Sequence, residues 1–158
     1  MDQTITTTYQ RFSHWNELNP LDIELVDKAY VVCKNAYAPY SKFHVGAAVR
    51  MASGEIVTGS NQENIAYPSG LCAERVALFY VGANFPNQEV ETICIVAKGD
   101  LIPKETILAP CGACRQVMLE TESRQNKAYR VILVSQNGVT ILFSSAEHLL
   151  PLAFGIAQ

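Results

Sequence analysis

After Asn19-Pro20 the apolar residues Leu25, Val26, Ala29, Val32, Cys33 and Ala36 recur with helical period, and proline at the first helical position with Asp22 and Glu24 in the first turn marks a start. The pattern predicts a helix from Pro20 to about Ala36. Val45 to Met51 and Ile56 to Ser60 are β-prone runs joined by Ala52-Ser53-Gly54-Glu55, which reads as a hairpin. Polar residues with Pro68 and Gly70 make 61–70 a loop, and Cys72 then opens a helix that ends near Gly82. Glu91 to Ala97 alternates and then turns fully apolar, as a half-buried strand does. Residues 98–110 form a connection, a helix follows from about Pro110 to Glu122, and Arg130 to Ser135 and Val139 to Phe143 flank the tight-turn signal Asn137-Gly138. Ser144 or Ser145 caps a last short helix stopped by Pro151.

Five strands interleaved with helices predict an α/β fold of three layers, α/β/α, around a mixed five-stranded sheet. Residues 19–158 are expected to form one domain. Residues 1–18 lack clear periodicity and are read as an N-terminal extension, although Phe12, Trp15 and Leu18 recur at spacing three and suit an aromatic turn packed on the domain.

Composition narrows the function. The 158 residues suffice to bury a core, and 12 basic against 15 acidic residues give a formal charge of -3 with no basic run. A nucleic-acid polymer is therefore not an expected partner. No apolar stretch of about 18 residues and no signal-like start is visible, so the expectation is a cytoplasmic protein without a membrane partner. Five cysteines are odd in number, and three fall into motifs while Cys33 and Cys94 sit in core-like apolar runs. That distribution points to metal chemistry rather than disulfides.

Pro110-Cys111-Gly112-Ala113-Cys114 contains a C-x-x-C, which alone fits a redox pair or half of a structural zinc site. Cys72-Ala73-Glu74 sharpens it. Three cysteine ligands leave the fourth zinc position open for water, and an acid two residues from one ligand can move protons there. Both motifs lie at predicted helix starts, where unpaired N–H groups favour thiolate. Three thiolates on divalent zinc leave a net negative charge, which opposes deprotonation of water. Arg75 and Arg115 are the side chains adjacent to the motifs that can donate to sulfur and offset it, and Arg75 is the favoured one. The expected chemistry is attack of an activated water on an amine-bearing ring carbon, with Glu74 (catalytic) passing protons to the ring and then to the departing amine.

These motifs, together with Tyr37-Ala38-Pro39-Tyr40-Ser41-Lys42-Phe43, Val45-Gly46-Ala47-Ala48, Asn61-Gln62-Glu63-Asn64, Tyr67 and Leu149-Leu150-Pro151 with Phe154-Gly155, resemble the blocks of the short-chain cytidine deaminase family. The resemblance spans about Asn19 to Gly155, with His44 where many members carry proline. It implies hydrolytic deamination of cytidine and 2'-deoxycytidine with one Zn²⁺ per subunit on Cys72, Cys111 and Cys114. It further implies that Asn61 and Glu63 bind the ribose hydroxyls, that Phe43 stacks on the pyrimidine, and that the Ala73 N–H bonds the base carbonyl. Residues two apart in extended chain share a side, so Asn61 and Glu63 can form one polar patch. The family also implies a homotetramer in which Phe154, Tyr67 and Tyr40 reach a neighbour's site. Blasticidin-type deaminases share the zinc motifs but differ around the sugar. Deaminases of polynucleotides usually carry His-x-Glu and basic channels, both missing here. A non-catalytic zinc-stabilised module has no use for Glu74.

Overall fold

The computed structural model describes residues 1–155. Six strands run β1 (Gln10–Phe12), β2 (His44–Met51), β3 (Ile56–Ser60), β4 (Val90–Lys98), β5 (Arg130–Val134) and β6 (Thr140–Phe143), with α1 (Pro20–Cys33), α2 (Ala73–Asn84) and α3 (Gly112–Gln125) between them. The sheet order is β1-β6-β5-β4-β2-β3. Only β4 and β5 pair in parallel, so the sheet is mixed.

Side chains alternate across a strand, and here both sets are apolar because both faces are covered. Ala47, Val49, Ile93, Ile95, Val131 and Leu133 pack toward α2 and α3. Ala48, Cys94, Val96, Ile132 and Val134 pack toward α1, against Leu25, Val26, Ala29 and Cys33. The three-layer expectation stands. Two glycines set the spacing of the layers. A Cβ on Gly46 would lie 2.1 Å from the Ala29 carbonyl oxygen of α1, and one on Gly59 would lie 2.7 Å from the Ala77 nitrogen of α2. Each lets a helix backbone rest directly on the sheet.

Two expectations need correction. The sheet has six strands, not five, because β1 pairs antiparallel with β6 through Gln10 with Leu142 and Phe12 with Thr140. The segment read as an extension thus covers a sheet edge, and Leu18 is buried in the α1-side core. The expected last short helix is present as a 3-10 turn, Ala146–Leu149, capped by Ser145. The first helix stops at Cys33 rather than Ala36. Beyond it Lys34, Asn35 and Ala36 donate to carbonyls three residues back, and the Tyr37 N–H leaves for the Asn61 carbonyl.

Two buried carboxylates are fully engaged. Asp22, 1% exposed, takes both Arg130 nitrogens at 3.0 and 2.5 Å. Glu122 accepts from the Ser145 hydroxyl and from the Tyr129, Ala146 and Glu147 N–H groups. Among the described residues no helix is long and apolar enough to cross a membrane.

Candidate functional site

Gly59 seats the first turn of α2 on β3, and that turn carries the first motif. Cys72 is the N-cap of α2 and Cys111 the N-cap of α3, both in extended backbone and neither using its side chain to cap. The thiols therefore sit beside unpaired N–H groups at two positive dipole ends. Cys114, in the first turn of α3, is fully buried. The Cys72 and Cys111 sulfurs are 3.9 Å apart, those of Cys111 and Cys114 3.2 Å, and all three lie within 4.8 Å of one another.

Three thiolates around tetrahedral zinc, with bonds of about 2.3 Å, place sulfurs roughly 3.8 Å apart. The cluster fits a zinc ion. It is the one group of this kind among the described residues, with no fourth Cys or His, as an open coordination position requires. Cys33 and Cys94 lie on the opposite face of the sheet, in the α1-side core.

Glu74 is 4% exposed, and its Oε2 has no hydrogen-bond partner. Burial pushes its carboxyl up to about 7, with its own backbone N–H opposing and the neighbouring Cys72 charge adding to the rise. Hydrogen bonding from Cys114, against the opposing effect of burial, and then the Arg75 guanidinium bring Cys72 down to about 5, while the bond to Cys72 and burial hold Cys114 up. Arg75 reaches the Cys72 sulfur at 3.7 Å through Nη2, and its buried Nε has no partner. Arg115 turns elsewhere: Nε donates to the Pro110 carbonyl at 2.9 Å and Nη1 to that of Leu149 at 3.0 Å.

A cavity of about 460 Å³ opens over this corner, with Tyr40, Asn61, Glu63, Tyr67, Cys72 and Arg75 in its wall. Asn61 and Glu63 do line one space, and both are also bonded to the 40–45 loop. Asn61 Oδ1 accepts from the Val45 N–H at 2.8 Å and its Nδ2 donates to the Phe43 carbonyl at 2.9 Å. Glu63 accepts from the Tyr40 and Ser41 N–H groups and, through a very short contact, from the Ser41 hydroxyl. Burial raises the Glu63 carboxyl, but the Ser41 hydroxyl, the two N–H groups and the His44 charge outweigh it and leave it below the ordinary carboxylate range.

Phe43 is half-buried against the α2-side core and is not in the cavity wall. Ala73 is fully buried at the first position of α2, where a helix N–H has no intrahelical partner. Tyr40 and Tyr67 meet edge-on at 5.7 Å and are 45% and 73% exposed. Phe154 is 90% exposed, its carbonyl held by Gln116 Nε2 at 2.8 Å. Sequence reasoning missed the Ser41 link to Glu63 and the Arg115 tie to Leu149. Both are side-chain contacts across long loops, and no spacing rule signals them.

Residues 20–129 match a family model described as the cytidine and deoxycytidylate deaminase zinc-binding region. The cytidine deaminase of Halalkalibacterium halodurans is 40% identical over 105 residues, 66% of this chain and 75% of that protein. A probable cytidine deaminase of Dictyostelium discoideum is 37% identical over 127 residues, 80% of this chain and 78% of its own length. The 1.6 Å crystal structure of cytidine deaminase from Burkholderia pseudomallei superposes with a TM-score of 0.72 at 38% identity, covering 84% of this chain and 98% of that one.

Proposed function

Because the chain belongs to the cytidine and deoxycytidylate deaminase family, we propose that it hydrolyses the ring amine of cytidine and 2'-deoxycytidine, giving uridine or 2'-deoxyuridine and ammonia. The observation that carries the reading is the convergence of the Cys72, Cys111 and Cys114 sulfurs next to the buried, unpartnered Glu74 carboxyl. A structural zinc site has no need of an orphaned carboxylate.

Cys72, Cys111 and Cys114 would hold the zinc, which when bound supplies the Lewis acidity that brings the pKa of a water down to about 7. Glu74 takes the proton of the attacking water and delivers it to the ring nitrogen beside the attacked carbon. It then transfers the second proton to the departing amine, the carbon–nitrogen bond breaks, and the ring carbon keeps the oxygen as a carbonyl. Arg75 donates to the Cys72 sulfur, withdrawing electron density from the ligand set. The family resemblance assigns the Ala73 N–H, free at the start of α2, to the base carbonyl and Phe43 to the pyrimidine ring, with Phe43 packed behind the cavity wall rather than in it. Asn61 and Glu63 hold the sugar. Each has capacity left after its bonds to the loop: one amide hydrogen on Asn61 Nδ2 and one carboxylate lone pair on Glu63. A hydroxyl can accept from the first and donate to the second.

The proposed assembly is a cytoplasmic homotetramer with one zinc per subunit, in which exposed Tyr40, Tyr67 and Phe154 meet neighbouring chains. Residues 19–158 would form the catalytic domain, of which 156–158 lie outside the described residues.

The test is ammonia release by zinc-loaded protein from cytidine, 2'-deoxycytidine, deoxycytidylate, free cytosine and blasticidin S. Turnover of the two nucleosides, with the other three slower by tenfold or more, is expected. No turnover of either nucleoside, or preferred turnover of blasticidin S, overturns the reading.

A further inference from the structure

We propose that Ser41 is a specificity-determining positioning residue, which fixes the Glu63 carboxylate so that its single remaining acceptor site faces a sugar hydroxyl in the cavity. The inference rests on the deaminase reading and adds to it a residue whose action runs through Glu63.

An ionised carboxylate has about four lone-pair sites. Three donors already occupy Glu63: the Ser41 hydroxyl on Oε1, and on Oε2 the N–H groups of Tyr40 at 2.9 Å and Ser41 at 3.3 Å. The two N–H groups alone hold only one oxygen, leaving the carboxylate free to swing about it. The Ser41 hydroxyl takes the other oxygen and stops that rotation. One of its two acceptor lone pairs takes the Phe43 N–H at 3.0 Å. An ionised carboxylate can only accept, so the hydroxyl proton points toward Glu63.

Backbone geometry is committed to this arrangement. Lys42 has φ of 56°, in the left-handed region that a non-glycine residue enters only at a conformational cost. That turn brings the Phe43 N–H back onto the Ser41 oxygen. Asn61 holds the far side of the same loop through Phe43 and Val45. The loop and the 61–63 segment thus form one closed network around the cavity wall, in which Tyr40 reaches the carboxylate through its backbone and Ser41 through its side chain, which also accepts from the loop at Phe43.

Removing the hydroxyl leaves an under-donated carboxylate with two orientations, of which one suits the substrate. Binding of a hydroxylated sugar weakens, while the groups at the reacting carbon are untouched. Ser41→Ala is expected to raise KM for cytidine on the order of tenfold, the effect of losing one charge-assisted hydrogen bond, with kcat within about threefold of wild type. Ser41→Thr, which keeps the hydroxyl, is expected to restore most of the loss.

The deciding comparison uses 2',3'-dideoxycytidine, which keeps the base and lacks the hydroxyls that Glu63 would bind. Wild type, Ser41→Ala, Glu63→Gln and the double variant are assayed on both nucleosides. Sensitivity to Ser41→Ala on cytidine but less than threefold on the dideoxy substrate, with the double variant no worse than Glu63→Gln alone, is the expected result. Equal losses on both substrates, additive losses in the double variant, or no rescue by threonine would overturn the assignment and leave the deaminase reading intact. A wild-type protein inert on cytidine would instead remove the reading on which it rests.

Discussion

Gly59→Ala tests how closely the fold and the site are joined. The added methyl would lie 2.7 Å from the Ala77 nitrogen, 2.9 Å from the Ala73 carbonyl oxygen and 3.1 Å from the Ala77 Cα, where ordinary contact begins near 3.4 Å. All three atoms are backbone of α2, so no side chain can rotate away. The helix must back off by roughly 0.5–1 Å, because close-packed interiors transmit such overlaps rather than absorb them. Overpacking of this kind costs about 1–3 kcal/mol, and a chain of this size loses roughly 2–4 °C of Tm per kcal/mol. The displaced turn carries Cys72 and Glu74, whereas Cys111 and Cys114 stay on α3. Constellations of this type tolerate displacements of only about 0.5 Å. Activity and zinc retention should therefore fall by more than the lost stability explains, with kcat/KM down on the order of tenfold or more at a temperature where the variant is fully folded. Gly82→Ala, near the other end of the same helix, meets nothing closer than an Arg124 nitrogen at 3.6 Å and serves as the control. It should keep full activity and gain up to about 1 kcal/mol from helix propensity. The assay pairs thermal melts with zinc content and initial rates. A Gly59→Ala protein with wild-type Tm, zinc and rate would refute the claim that this glycine sets the position of the site.

Tyr129 is buried with its hydroxyl donated to the Met118 carbonyl at 2.7 Å, and burial together with the Glu122 charge raises its phenol well above its usual value. A group raised on folding contributes stability below its unfolded pKa, near 10, and loses it as pH rises further. Urea melts from pH 8 to 11 should show wild type losing stability relative to Tyr129→Phe above pH 10, and parallel curves would contradict this. Deleting residues 1–12 strips β1 from β6, the Thr7 and Thr8 contacts with His148, and the Tyr9 ring from Phe143, exposing a sheet edge. Light scattering should detect concentration-dependent aggregation of the truncated chain, and a monodisperse, equally stable product would count against an edge-covering role. Cys111→Ser should reduce bound zinc to well under one per chain while far-ultraviolet dichroism is retained, since Cys111 is exposed and the core lies behind it. Full zinc occupancy in that variant would remove Cys111 from the ligand set.

The elements that position the metal-binding motifs were legible because their signals are local. Apolar period, a proline at the first position and a cap at Asn19 mark α1 within its own sequence, and the same logic placed Cys72 and Cys111 at helix starts. Strand β1 was not legible. Gln10–Phe12 is only three residues long and shows no alternating pattern, and only pairing with β6, far along the chain, makes it a strand. The last short helix was legible from its Ser145 cap, but the Glu122 carboxylate on α3 that accepts from the Ala146 and Glu147 N–H groups was not, because no sequence pattern announces that contact. In the site, the three sulfurs and Glu74 followed from spacing and residue type. Asn61 and Glu63 were legible as a polar pair, but their bonds to Ser41, Phe43 and Val45 were not, because loop closure depends on the left-handed turn at Lys42.

In the proposed mechanism Glu74 moves the protons at a zinc held by Cys72, Cys111 and Cys114. The most direct test follows the ultraviolet absorbance of cytidine with purified wild type and Glu74→Gln, with zinc measured on both. Conversion to uridine by wild type, a loss of several orders of magnitude in Glu74→Gln, and equal zinc in the two proteins are the predicted results. Comparable turnover by the variant at full zinc occupancy would contradict the account.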